Sequence, residues 1–138
     1  MKKILFILTV LFPLFAVAQI DIDVQETRPE ETGEQEVFDI VEEQPVYPGG
    51  EDSMRKFIRD NLAYPDSAIK KGLQGSVFLQ FVVEADGKVT NAKAIRSFDD
   101  DCAKEAIRVV NLMKWTPGRH RGKAVRVRVV LPIKFKLS

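Results

Sequence analysis

The clearest alternation of hydrophobic and polar positions in this chain runs from Val125 to Leu137. Every second residue is Val, Leu, Ile or Phe, and the intervening positions hold mostly Arg, Lys and Pro132. This pattern predicts a half-buried strand with one apolar face and one mostly basic face. Its length of roughly 13 residues exceeds the usual 3–10. Because Pro132 cannot donate a backbone hydrogen bond to a ladder, the strand is expected at a sheet edge or with a bulge.

Apolar residues at helical spacing predict two helical segments upstream. The first carries Met54, Phe57, Ile58 and Leu62. It ends before Tyr64-Pro65, since the residue preceding a proline disfavours helical angles. Asp66 to Lys71 adds one or two further turns.

A β-hairpin follows. Val77 to Val83 is apolar on one face and largely apolar on the other, where Gln80 lies, so this strand is expected to be covered on both sides or to use one face for contact. Asp86-Gly87 predicts the turn, because glycine supplies the positive backbone angle, and Lys88 to Ser97 returns as the second strand.

Asp99-Asp100-Asp101 is expected to cap a third helix, because acids favour the positive end of the helix dipole. Its apolar stripe comprises Cys102, Ala106, Val109, Val110 and Met113. Together these elements predict an α+β fold, in which two or three helices pack on a small antiparallel sheet of about three strands.

Residues 1–18 are predicted to be a signal peptide. Lys2 and Lys3 precede an apolar run, and Ala16-Val17-Ala18 matches a cleavage site. The run is shorter than the roughly 20 residues of a membrane-spanning helix. We therefore expect export to the periplasm. The alternative is an uncleaved anchor in the inner membrane, with the rest of the chain on the periplasmic side.

Residues 19–44 are predicted to form an acidic disordered linker, and residues 45–138 the folded domain. Between Gln19 and Gln44 the only base is Arg28, whereas every charged residue after Glu105 is basic. Such a like-charged segment favours an extended spacer. The alternative is an arm that folds back on the basic C-terminal face and masks it.

The residues do not predict catalysis. Cys102 is the only cysteine and His120 the only histidine, so neither a disulfide within the chain nor a typical zinc site is expected. The three consecutive aspartates lack the spacing of a calcium loop. We predict no enzyme activity, no catalytic residues, no metal and no cofactor. Export also argues against a nucleic-acid partner.

A strand at a sheet edge presents free backbone donors and acceptors, to which an extended peptide can add as a further strand. The outward Arg and Lys residues would favour a partner that is acidic or rich in backbone carbonyls. The same charges could instead serve only to keep the edge soluble, and the pattern alone does not separate these two interpretations.

Short motifs in sequence order give the chain a resemblance to a known family. They include Pro48-Gly49-Gly50, Tyr64-Pro65-x-x-Ala68, Asp86-Gly87-Lys88-Val89, Lys114-Trp115-x-Pro117-Gly118 and Pro132-Ile133-x-Phe135. From about Pro45 to Leu137 the sequence resembles the C-terminal domain of TonB-type energy transducers. One departure is the cleavable-looking signal, since such transducers usually keep a membrane anchor.

The resemblance implies that the domain binds the TonB-box peptide of an outer-membrane transporter by β-strand addition, in energy-coupled transport. The implied partner-binding residues are Trp115, Val125, Arg126, Val127, Arg128, Val129, Val130, Leu131, Pro132, Ile133, Lys134 and Phe135. An inner-membrane, proton-driven motor would be a partner only if the N-terminus is an uncleaved anchor. The alternative is a soluble envelope adaptor or structural protein, which uses the same edge for homodimerisation or partner binding without energy coupling.

Overall fold

The computed structural model describes residues 36–138, so the predicted signal peptide and residues 19–35 of the predicted linker lie outside the described residues. The elements are β1 (Val37–Phe38), α1 (Gly50–Asn61), α2 (Asp66–Lys70), β2 (Gly75–Val83), β3 (Val89–Arg96), α3 (Asp100–Asn111), β4 (Gly118–His120) and β5 (Lys123–Phe135).

One mixed sheet forms the framework, with its strands in the order β1-β5-β2-β3 and with β4 paired to β5. The longest ladder joins β2 antiparallel to β5, from Gly75 opposite Phe135 to Val83 opposite Val127. The α+β fold with helices packed on a small sheet is therefore confirmed. The sheet has two short strands more than the three expected, and β1 runs parallel to β5, which makes the sheet mixed rather than antiparallel.

Helix α3 packs on the sheet as its apolar stripe predicts. The Asp99 carboxylate accepts a hydrogen bond from the Cys102 amide at 3.0 Å, which confirms the predicted cap. Four residues of the helix are fully buried: Cys102, Ala106, Val109 and Val110. The core cluster joins this helix to the inward residues of β2 and β5.

Trp115 is 8% exposed and anchors the loop after α3 in the core. Its ring lies 5.8 Å from that of Phe81 and 5.7 Å from that of Tyr47, measured between centroids. Its amide donates to the carbonyl of Gly87, which joins this loop to the β2–β3 hairpin.

The predicted disordered linker differs from the structure at its C-terminal end. Residues 36–46, here called the strap, lie against β4 and β5. Val37 and Phe38 pair with β5, and Glu43 forms a two-bond bridge with Arg119. Val41 is 8% exposed, so the strap contributes a side chain to the interior. Within the described residues, the strap therefore belongs to the same compact unit as the predicted domain, residues 45–138.

The segment around His120 forms a tight hairpin between β4 and β5. His120 pairs with Lys123, which leaves Arg121 and Gly122 as the turn. Both have positive φ, 52° and 76°, as a two-residue turn of this kind requires.

Candidate peptide-binding edge

Strand β5 is paired unevenly along the side that faces away from β2. β4 pairs with Lys123–Val125, and β1 occupies the outer side at Arg126 and Val127. Beyond Val127, no strand within residues 36–138 pairs with β5 on the side away from β2. We call this stretch, Arg128–Phe135, the outer edge. Unpaired backbone groups in an extended strand can template a further strand.

Side chains of the outer edge alternate between the core and solvent. Ile133 and Phe135 are each 1% exposed and face the helices, whereas Val130 on the opposite face is 52% exposed. Arg128, Pro132 and Lys134 are also exposed. The predicted strand with one apolar and one mostly basic face is therefore present, and Pro132 lies on an edge strand as expected.

The structure places the predicted partner-binding residues in three settings. Arg128 to Phe135 form the outer edge. Val125 pairs with Gly118, and Arg126 and Val127 pair with β1, so the backbone at these three positions already has neighbouring strands. Trp115 lies in the core and does not line the outer edge.

Arg126 forms a partly buried ion pair with Glu84 rather than facing solvent. Its Nε and Nη2 donate to the two carboxylate oxygens of Glu84 at 2.6 and 3.1 Å, and its side chain is 17% exposed. Thr90 also donates to Glu84, at 2.5 Å. Burial acts to raise the pKa of the Glu84 carboxyl, but the hydrogen bonds from Arg126 and Thr90 outweigh it and hold that pKa below its ordinary value.

Arg128, the first residue of the outer edge, is held by the strap. Its Nη1 donates to the Asp39 carboxylate in an exposed ion pair. The Glu42 carboxylate accepts a hydrogen bond from the Arg121 amide at 3.3 Å, and the Phe38 ring lies 5.4 Å from the His120 ring. Two acidic strap residues therefore contact the basic C-terminal part of the chain, Asp39 at the start of the outer edge and Glu42 at the β4–β5 turn.

A groove between α1 and the outer edge was missed by the sequence reasoning. Its volume is about 590 Å³, and its walls include Met54, Ile58, Leu131 and Ile133. Arg59 and Lys134 are among the charged residues that line it. The helical spacing of Met54 and Ile58 was visible in sequence, but nothing in the sequence placed α1 beside β5.

The described residues contain no group of His, Cys, Asp and Glu side chains suited to hold a metal ion. Burial, followed by the hydrogen bond and charge of Asp99, raises the pKa of the Cys102 thiol to about 12. A thiol with so high a pKa is a poor nucleophile at neutral pH. Within residues 36–138, no helix is both long and apolar enough to cross a membrane.

Similarity to known proteins decides the family. The family described as Gram-negative bacterial TonB protein C-terminal matches residues 60–137, which include β5 and the outer edge. The chain belongs to the TonB C-terminal family. This confirms the resemblance of the motifs, and it confirms that the chain is not an enzyme, because the family is one of non-enzymatic transport proteins. The role of the family is TonB-type energy transduction, and its domain faces the periplasm.

Solved structures of TonB C-terminal domains are similar to the chain. The domain from Pseudomonas aeruginosa is 22% identical, with a TM-score of 0.46, and the match covers 54% of this chain and 77% of that one. One structure of the Helicobacter pylori domain is 25% identical, with a TM-score of 0.47, and the match covers 64% of this chain and 96% of that one. A second structure of the Helicobacter pylori domain is 22% identical, with a TM-score of 0.43, and the match covers 66% of this chain and 89% of that one. None of the curated proteins matches the sequence.

Proposed function

We propose that this domain captures an extended peptide of an outer-membrane TonB-dependent transporter, of the TonB-box type, by adding it as a strand to the outer edge. The observation that carries the proposal is the unpaired backbone of Arg128–Phe135. Main-chain hydrogen bonds would supply affinity, and alternate side chains of the peptide would supply selectivity. The β1 strand, which already pairs with β5 at Arg126 and Val127, sets the start of the free stretch.

Amide NMR of the mature chain, titrated with a synthetic TonB-box-type peptide, tests the location. We expect the largest shifts at Arg128–Phe135. Shifts confined to β3, which is at the opposite end of the sheet order, or a complete lack of shifts would contradict strand addition at β5.

Backbone methylation of the peptide tests the mode of binding. In a paired strand, the amides that donate toward one neighbour alternate with those that point away. Two peptides of the same sequence are therefore compared, one N-methylated at odd positions and one at even positions. We expect one to lose affinity about tenfold or more and the other to bind like the unmethylated peptide. Equal losses in both would rule out the strand geometry.

Export and anchoring are tested separately. We propose that residues 1–18 direct the chain to the periplasm and are removed. Sequencing of the mature N-terminus should begin at Gln19. A start at Met1 or Lys2 would instead favour an inner-membrane anchor, and with it coupling to a proton-driven motor.

A soluble adaptor that uses the same edge to pair with a second copy is the competing function, and it too is favoured by the unpaired edge. Sedimentation of the mature chain without peptide separates the two. A dimer that dissociates when the peptide binds would show that both use Arg128–Phe135, whereas a monomer that binds the peptide supports transporter capture alone.

A further inference from the structure

Helix α1 has an apolar stripe, but the fold leaves that stripe partly uncovered. None of its residues is fully buried, whereas α3, with the same length of 12 residues, buries four. Met54, Phe57 and Ile58 are only half-buried. Because an amphipathic helix is stabilised mainly by burying its apolar face, the exposed part of this stripe is suited to contact with another chain.

This half-covered stripe lies beside the outer edge. Met54 and Ile58 form one wall of the groove, and Leu131 and Ile133 form the opposite wall. A strand added to the outer edge would extend the sheet over this groove. Since successive side chains of a strand point to opposite faces, every second side chain of the added strand would enter the groove and pack against α1.

The charges around the groove are mostly positive and unpaired. Arg55 pairs with Glu51 at 3.3 Å, so these two lining residues offset each other. Arg59, Lys134 and Lys136 also line the groove and form no ion pair within residues 36–138. Lys134 stands between the buried Ile133 and Phe135, so strand alternation places its side chain on the sheet face opposite the helices, where the intervening side chains of an added strand would lie.

From this placement we infer that the partner peptide alternates apolar and acidic residues, and that α1 selects it. The apolar residues enter the groove against Met54 and Ile58, and the acids lie on the opposite face of the added strand, beside Lys134. This inference rests on the proposed strand addition and deepens it, because it names the chemistry of the segment that the edge accepts.

Two synthetic peptides of about eight residues and identical composition form the probe. In one, Val and Glu alternate. In the other, the same residues are arranged as a Val block and a Glu block. We expect the mature chain to bind the alternating peptide about tenfold more tightly, as measured by fluorescence anisotropy. Equal affinities for the two peptides would overturn the inference.

Matched variants locate the selection. Ile58→Ser removes an apolar wall of the groove, and Ile69→Ser is its control, because Ile69 is 48% exposed on α2 and does not line the groove. Lys134→Gln removes the charge that the acids of the peptide would face, and Lys93→Gln is its control, because Lys93 is exposed on β3 at the opposite end of the sheet order. We expect each groove variant to weaken binding of the alternating peptide about fivefold to tenfold, and each control to leave it within about twofold.

The outcomes separate this inference from the proposed function. If neither peptide binds the wild-type chain and the TonB-box-type peptide also fails, strand addition itself is wrong. If the TonB-box-type peptide binds but the groove variants behave like their controls, only the selection by α1 is wrong. Thermal unfolding of each variant shows whether it is folded. If Ile58→Ser does not fold, Leu131→Ser replaces it as the groove variant.

Other occupants of the groove would give different results. If a second copy of the chain occupied the groove, Ile58→Ser would convert a dimer into a monomer in sedimentation and would leave the peptide affinity unchanged. If the acidic N-terminal segment of the chain itself occupied the groove, removing its charges would free the groove. The triple variant E30Q/E31Q/E34Q would then bind the peptide more tightly than the wild type. Either result would overturn the assignment of the groove to a partner peptide.

Discussion

Arg126 on β5 holds both carboxylate oxygens of Glu84, the residue that follows β2, through hydrogen bonds of 2.6 and 3.1 Å. This pair joins the two central strands at the end where their ladder finishes, at Val83 opposite Val127. It lies directly before the outer edge. An ion pair that is mostly shielded from water therefore joins β2 and β5 next to the outer edge.

The stability of the domain should fall in acid through this pair. Because the pKa of Glu84 is below its ordinary value of 4.5 in the folded state, its contribution is fully present above pH 4.5 and is lost as the pH falls through the folded pKa. Glu84→Gln should lower the free energy of unfolding at pH 7 by about 1–2 kcal/mol. Urea unfolding from pH 7 to pH 3 should show this difference shrinking below pH 4.5.

The control for this measurement is Asp86→Asn. Asp86 pairs with Lys88 at 3.9 Å, and both side chains are more than half exposed. Removing the charge of Asp86 should therefore change the free energy of unfolding by less than about 0.5 kcal/mol. A constant difference between Glu84→Gln and the wild type across the pH range would contradict the pKa argument.

Gly87 should tolerate no side chain. A Cβ at this position would lie 2.1 Å from the carbonyl oxygen of Trp115, and φ is +88°. Gly87→Ala should therefore destabilise the domain by about 3 kcal/mol or more, as measured by urea unfolding. Gly122→Ala is the control, since φ is +76° but nothing lies within 4 Å; it should cost about 1 kcal/mol. Equal losses would show that the contact with Trp115 is unimportant.

The strap should contribute to folding through Val41. Val41→Ser places a hydroxyl at a position that is 8% exposed, and we expect a loss of about 2 kcal/mol in the free energy of unfolding. The adjacent Ile40 is 84% exposed, so Ile40→Ser should change the free energy of unfolding by less than about 0.5 kcal/mol. If the two variants are equally stable, the strap does not pack as described.

Cys102 should be inert in the native protein. Its thiol is fully buried and its pKa is about 12, so at pH 8 on the order of one molecule in ten thousand carries the reactive thiolate. Iodoacetamide should leave the folded chain unmodified by intact mass and should alkylate it once urea unfolds it. Rapid labelling without denaturant would mean that α3 opens readily.

Strong local patterns made much of the fold predictable. The seven alternating apolar positions from Val125 to Leu137 could form only a strand with one buried face, and Asp99 followed by an apolar stripe could hardly be read as anything but a capped helix. These elements have periodicities sustained over many residues. The outer edge was predictable for the same reason, with Pro132 as its marker.

The strap, the β4–β5 turn and the groove were not predictable from such patterns. Val37 and Phe38 lie among acids, and their pairing with β5 joins residues far apart in sequence. Arg121 adopts a positive φ that is uncommon for a residue with a side chain. The groove exists because tertiary packing brings the stripe of α1 beside Leu131 and Ile133, a relationship that no local window contains.

The ladder between β2 and β5 has a mechanical consequence. A peptide paired with the outer edge and pulled along its length would load β5 lengthwise. The backbone bonds that join β5 to β2 from Gly75 to Val83 would then be sheared together rather than peeled one at a time. β1 holds only two positions of β5, so under the same tension it would part well before the central ladder.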